Sequence, residues 1–255
     1  MTELLPGAQA WSVEGASGAP GALCLHGFTG NPSSMRPIAE AMADAGFAVE
    51  LPRLPGHGTN LDDMMTTGWA DWAGEAEAAY ARLAARTDRI VVAGLSMGGT
   101  LTIWLGTQHP EIAGLICINP ATQQLAPEVL EMARSMVAGG EVLLPGIGSD
   151  IADPDVTETA YEQTPLPPLL SFQDALAELQ PALGNITAPL LLITSVNDHV
   201  VDPAQSDHLA VSVSGPVERV SLTRSYHVAT LDYDRDVVRE QVVAFARKVT
   251  AAPGN

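Results

Sequence analysis

The sequence predicts an α/β fold: a mostly parallel sheet flanked by helices, with one small inserted segment. Two observations carry this. Short, continuously apolar runs alternate with amphipathic stretches, the pattern of strands buried on both faces with helices laid over them. One interval of about seventy residues breaks that rhythm, and a strand-to-helix connection needs far less. The chain has 255 residues, of which 46% are hydrophobic, enough for a large core.

In chain order, the strand candidates are G-A-L-C-L-H (21–26), F-A-V-E-L-P (47–52), R-I-V-V-A-G (89–94), G-L-I-C-I-N (114–119), P-L-L-L-I-T (189–194) and V-E-R-V-S-L (217–222). Helical patterns fall at 32–45, 69–87, 97–108, 203–213 and 235–249. In the second of these, Trp69, Trp72, Ala76 and Tyr80 recur at spacings of three and four, which predicts one stripe facing the core. The long interval holds a helical pattern around Val129, Leu130, Met132, Met136 and Val137. E-V-L-L-P-G-I-G-S-D and the proline-rich Q-T-P-L-P-P-L-L follow it. Residues 121–187 read as a cap over one end of the sheet, with 1–120 and 188–255 forming the core domain.

Composition removes several functions. A net charge of −18 repels phosphate backbones and anionic membrane surfaces, so nucleic acid is excluded as a partner. The acidic residues are spread along the chain, as on an ordinary solvated surface. Cys24 and Cys117 each lie inside an apolar run and read as buried, inert thiols. No metal-ligand spacing is present, and neither a metal nor a cofactor is expected. The opening M-T-E-L-L-P-G lacks a basic region followed by an apolar segment, and no run of about eighteen apolar residues occurs. The expectation is a cytoplasmic protein without stable membrane insertion.

The chemistry is concentrated at R-I-V-V-A-G-L-S-M-G-G-T, residues 89–100. A G-x-S-x-G string alone is weak, but here a buried strand leads in and a helix pattern leads out, the setting such a motif requires. A corner that sharp forces Ser96 into backbone space hostile to side chains, and Gly94 and Gly98 are the small neighbours that avoid collision. Ser96 is the predicted nucleophile. Its hydroxyl needs a base, and the base needs an orienting carboxylate. Where a serine sits on such a corner the chain order is serine, acid, histidine. Of six histidines, His227 in R-S-Y-H-V-A-T-L-D follows the last strand with an acid between it and Ser96. Asp198 follows the penultimate strand directly; Asp202 precedes a proline and reads as the cap of the next helix. The charge developing on a substrate oxygen needs two fixed donors. One is the backbone N–H of Met97, and the other comes from L-H-G-F-T-G, where Phe28 follows Gly27.

Taken together, L-H-G-F-T-G, L-P-R-L-P-G-H-G-T, G-L-S-M-G-G-T, N-D-H-V-V and S-Y-H-V-A-T-L-D-Y-D resemble the small bacterial monoacylglycerol lipases of the α/β-hydrolase superfamily, and the related thermophilic-type carboxylesterases. The resemblance runs from about residue 20 to 235. It implies an α/β-hydrolase fold, the triad Ser96, Asp198 and His227, and oxyanion donors at Phe28 and Met97. It further implies that Glu158, in D-V-T-E, accepts hydrogen bonds from glycerol hydroxyls, and that Ile147 stands on the cap wall and gates the pocket. A carboxylate in a mostly apolar pocket suits a polyol, because it offers several acceptor lone pairs. Leu130, Met132, Met136 and Val137 either line an acyl tunnel or simply pack the cap.

The activity so implied is hydrolysis of a monoacylglycerol to glycerol and a fatty acid through an acyl-enzyme. The alternative is a general carboxylesterase for short- to medium-chain acyl esters. A binding protein on the same fold would be missing part of this constellation, and a dehalogenase would carry aspartate at the corner. The expected partner is a small-molecule lipid ester, met through transient contact of the cap with lipid aggregates. Oligomeric state is left open.

Overall fold

The strands are β1 (Trp11–Val13), β2 (Gly21–Leu25), β3 (Ala48–Leu51), β4 (Ile90–Leu95), β5 (Gly114–Ile118), β6 (Leu143–Pro145), β7 (Gln163–Pro165), β8 (Leu190–Ser195) and β9 (Val217–Leu222). The helices are α1 (Arg36–Asp44), α2 (Leu61–Met64), α3 (Trp69–Ala84), α4 (Met97–Gln108), α5 (Pro127–Ala138), α6 (Leu166–Leu179), α7 (Ala204–Ser212) and α8 (Arg235–Thr250). The computed structural model describes residues 3–146 and 148–251.

Seven strands form one sheet in the order β1-β3-β2-β4-β5-β8-β9, and every pair is parallel except β1 with β3. The inner strands β2, β4, β5 and β8 are buried along their whole length, which is why their sequences are apolar without alternation. Side chains of β2 show how both faces are filled. Leu23 and Leu25 pack among residues of α3, α4 and α6, whereas Ala22 and Cys24 pack among residues of α1 and α8. Burial pushes the Cys24 thiol up to about 12 and raises that of Cys117 as well, so both stay protonated and unreactive.

The predicted stripe on α3 is largely core: Trp72, Ala76 and Tyr80 are buried, and Trp69 is partly exposed. The helix expected at 32–45 is divided, a 3₁₀ turn over Pro32–Ser34 preceding α1. Two differences have clear causes. β1 is a three-residue antiparallel edge strand, too short to show a period. α6 begins inside the proline-rich stretch, which carries no helical period of its own. Its Pro167 and Pro168 sit in the first turn, where a missing N–H breaks no helical bond. Behind those prolines, Leu166, Phe172, Leu176 and Leu179 are buried.

Register places the functional loops. Leu25 pairs with Gly94, Leu95 with Ile118, Ile118 with Ile193, and Ser195 with Leu222. The carboxyl ends of β2, β4, β5, β8 and β9 therefore share one rim, the usual place for a site on an open α/β sheet. The long segment between β5 and β8 contributes α5, the antiparallel pair β6–β7, and α6.

Candidate active site

Ser96 stands between the last residue of β4 and the first of α4, with φ 57° and ψ −120°. Few L-residues tolerate such a backbone, and it persists because the surroundings over-determine it. The Ser96 amide donates to the Ile118 carbonyl (3.0 Å), and the Thr100 amide donates to the Ser96 carbonyl (3.2 Å). A Cβ on Gly94 would overlap the Gly98 carbonyl, and one on Gly98 would overlap the Leu25 carbonyl. α4 thus meets the end of β2 backbone against backbone, and the motif's glycines are steric necessities. Gly27 lies beside the same corner with a little more room: a Cβ there would be 3.3 Å from Ser96 Cβ.

Asp198 follows β8 and His227 follows β9, and the two meet. His227 Nδ1–H donates to Asp198 Oδ2 at 2.7 Å, both side chains being almost wholly buried, 8% and 2% exposed. Asp198 Oδ1 accepts from the amides of Val200 and Val201, each at 2.8 Å. The His227 backbone is held as well. Its carbonyl accepts from Asn119 Nδ2 (2.7 Å), and its amide donates to Asp150 Oδ2 (3.0 Å). With Nδ1 protonated, Nε2 remains the acceptor, the tautomer a general base requires.

Ser96 and His227 both line a cavity of about 200 Å³, together with Phe28, Asp150 and Glu158. Among the described residues no hydrogen bond joins Ser96 Oγ to the His227 ring; such contacts commonly tighten only when substrate is bound. The remaining wall is largely apolar, with Leu125, Leu169, Phe172, Val200 and Val201. Leu130, Met132, Met136 and Val137 are not part of this lining. Leu130 is buried in packing and Met132 is exposed.

The loop after β2 is held by its own side chains. His26 Nδ1–H donates to the Gly27 carbonyl (3.0 Å), and Nε2 accepts from the Leu54 amide (3.1 Å). Burial, then the neighbouring His57, keeps His26 neutral by lowering its pKa. Phe28 packs edge-on to Trp72 and stacks at 6.3 Å on Phe172. Thr29 takes a positive φ of 60°. Met97 opens α4, its side chain fully buried, so any donor it offers is its backbone N–H at the helix's positive end.

Glu158 is half-buried, its amide donating to Ser149 Oγ at 2.9 Å. Burial pushes its carboxyl up to about 7, against the opposing pull of His227 and the Ser34 hydroxyl. Ile147, the expected gate, lies outside the described residues.

The other histidines are engaged elsewhere: His109 with Glu77 and Glu111, His199 with Asp150, and His208 with Gln180. Asp202 accepts from the Ala204 amide at the start of α7, the capping role expected of it. Asp150, Asn119 and Asp232 were not anticipated. Asp232 is fully buried and accepts from the amides of Tyr226 (2.8 Å) and Ala152 (2.8 Å). Their work is to hold backbone, and no local spacing announces it. Among the described residues no cluster of three or more His, Cys, Asp or Glu is placed to hold a metal ion, and no helix is long and apolar enough to cross a membrane.

The profile of the alpha/beta hydrolase family matches residues 22–240. The chain is 44% identical over 248 residues to the thermostable monoacylglycerol lipase of Bacillus sp. (strain H-257), covering 96% of each. It is 26% identical over 229 residues to a carboxylesterase of Bacillus subtilis (strain 168), covering 89% of this chain and 92% of that protein. Among solved structures, one from a study of the metagenome-derived lipolytic enzymes LipS and LipT superposes with a TM-score of 0.91 at 40% identity, covering 96% of this chain and 100% of that one. The monoacylglycerol lipase of Paleococcus ferrophilus shares the fold at 17% identity, with a TM-score of 0.77 over 94% of this chain and 99% of its own.

Proposed function

The chain belongs to the alpha/beta hydrolase family, and on that footing we propose that it cleaves monoacylglycerol to glycerol and free fatty acid through an acyl-enzyme on Ser96. It is a carboxylic ester hydrolase. One observation supports the narrower substrate best: a single cavity holds Ser96, the His227 ring and a half-buried carboxylate, Glu158, against otherwise mostly apolar walls. Such a pocket matches an amphiphile with a neutral polyol head and an acyl chain. The net charge of −18 leaves nothing to gain from anionic lipids.

In this mechanism His227 Nε2 takes the Ser96 proton as Oγ attacks the ester carbonyl. Asp198 fixes the tautomer and stabilises the imidazolium without itself being protonated. The backbone N–H groups of Phe28 and Met97 receive the developing oxyanion. His227 then protonates the departing glycerol, and water, activated by the same imidazole, releases the fatty acid. Glu158 accepts from the glycerol hydroxyls, so that esters lacking them are disfavoured. Residues 121–187 act as a cap on a core formed by 1–120 and 188–255. The exposed Val129 and Met132 of α5 fit brief contact of that cap with lipid aggregates.

The test compares hydrolysis of 1-monolauroyl glycerol with that of methyl laurate, in the wild type and in Glu158→Gln. Loss of a charged acceptor should reduce the preference for the glyceride about tenfold or more. An unchanged ratio would leave a general carboxylesterase as the better account. A fluorophosphonate probe should label the wild type and spare Ser96→Ala.

A further inference from the structure

We propose that Asp150, from the segment between β5 and β8, is a positioning residue that clamps the acid-bearing and base-bearing loops together. The proposal rests on the roles given above to Asp198 and His227. Asp150 is 13% exposed. Its Oδ2 accepts from two backbone amides, that of His227 (3.0 Å) and that of His199 (3.1 Å), and its Oδ1 pairs with His199 Nδ1 (2.8 Å). His199 is the residue after Asp198. The Asp198–His227 bond at 2.7 Å and the peptide link from Asp198 to His199 close the circuit, so that Asp150, His227, Asp198 and His199 form one ring spanning two loops. The backbone of Asp150 contributes as well, its carbonyl accepting from the Val228 amide (3.1 Å).

A second buried carboxylate reinforces the same seam. Asp232 accepts from Ala152 and Asp153 on one side and from Tyr226, the neighbour of His227, on the other. The residue before Asp150 is Ser149, whose Oγ receives the Glu158 amide. One short stretch therefore carries both the carboxylate offered to the head group and the carboxylate that fixes the base. Displacing Glu158 by movement of this stretch would draw on the same anchors that orient His227. Loosening a base by about 1 Å is enough to cost a factor of the order of 10² in rate.

The experiment measures the rate of Ser96 labelling by a fluorophosphonate, together with the downfield proton NMR signal of the His227–Asp198 bond, in Asp150→Ala, Asp150→Asn and His227→Ala. Asp150→Ala should label about 30-fold more slowly and lose or shift the downfield signal. Asp150→Asn, whose amide oxygen can still accept both backbone amides, should recover to within about threefold of wild type. Hydrogen exchange in the unmutated protein supplies a reading that does not depend on any variant folding, since the clamp requires slow exchange at the amides of both His199 and His227. Wild-type labelling by Asp150→Ala, equal slowing in Ala and Asn variants, or fast exchange at either amide would each overturn the proposal. If His227→Ala also labels normally, the failure lies in the assignment of the base; if it is inert while Asp150→Ala is unaffected, only the clamp is lost.

Discussion

Asp198 meets His227 with Oδ2 alone, at 2.7 Å, because Oδ1 is already occupied by the amides of Val200 and Val201. The carboxylate cannot turn without giving up two backbone hydrogen bonds, so its orientation toward the imidazole is set by the loop after β8.

Asp198→Asn tests that constraint. The amide must keep its oxygen toward Val200 and Val201, which turns its NH₂ toward His227 Nδ1 and favours the wrong tautomer. The expected result is a loss of about 10³–10⁴ in kcat. Steady-state kinetics on a soluble ester, with circular dichroism to establish folding, decide it. Retention of more than a tenth of the activity would contradict the assigned role.

Glu158 makes stability depend on pH. Its folded pKa, about 7, lies above its ordinary value of 4.5, so its contribution is fully present below 4.5 and is lost as pH rises through 7. Glu158→Gln should melt with the wild type near pH 4.5 and above it by about 2–4 °C at pH 8, as expected for roughly 1 kcal/mol at a site still partly wetted. Scanning calorimetry at the two pH values checks the sign; a variant less stable at pH 8 would reverse it.

Gly30 is where the loop after β2 touches Glu158: a Cβ there would stand 3.0 Å from Glu158 Oε1. Gly30→Ala should displace that carboxylate while leaving Ser96 reactive. The preference for monolauroyl glycerol over methyl laurate should fall about threefold to tenfold, with fluorophosphonate labelling within twofold of wild type. A parallel loss of both would place the damage in the proposed oxyanion donors instead.

His57 is buried, with Nε2 unpartnered among the described residues and Nδ1–H donating to the Pro55 carbonyl at 3.0 Å. Burial lowers its pKa to about 4, so the stability it allows is present above about 6.5 and is lost as pH falls through 4. Trp72 Nε1 also donates to Pro55 O, so His57→Phe leaves that carbonyl satisfied. This variant should cost about 1–2 kcal/mol at pH 7 from overpacking, yet unfold in acid about half a pH unit lower than wild type. An acid midpoint that moves upward would rule out His57 as a source of acid lability.

The inner strands and the ingredients at the rim were legible because they leave local marks. β2, β4, β5 and β8 are apolar throughout, and the glycines around Ser96 are demanded by contacts that no side chain could share. The partnership of Asp198 with His227 followed from chain order, even though the two are brought together only by the pairing of β8 with β9. What escaped was long-range polar anchoring. Asp150 works on residues about fifty and eighty positions away, as Asp232 does on Ala152, and nothing in either neighbourhood distinguishes them from solvated acids. α6 was missed for a different reason, since proline within its first turn reads as a breaker until the helix start is known.

The twist at Ser96 also bears on how this enzyme could be improved. A glycine would occupy φ 57°, ψ −120° with far less strain, so Ser96→Gly should raise stability by about 1 kcal/mol, after allowing for glycine's greater freedom when unfolded. A library ranked on heat resistance alone would reward that variant, which lacks the proposed nucleophile; selection has to demand turnover alongside survival.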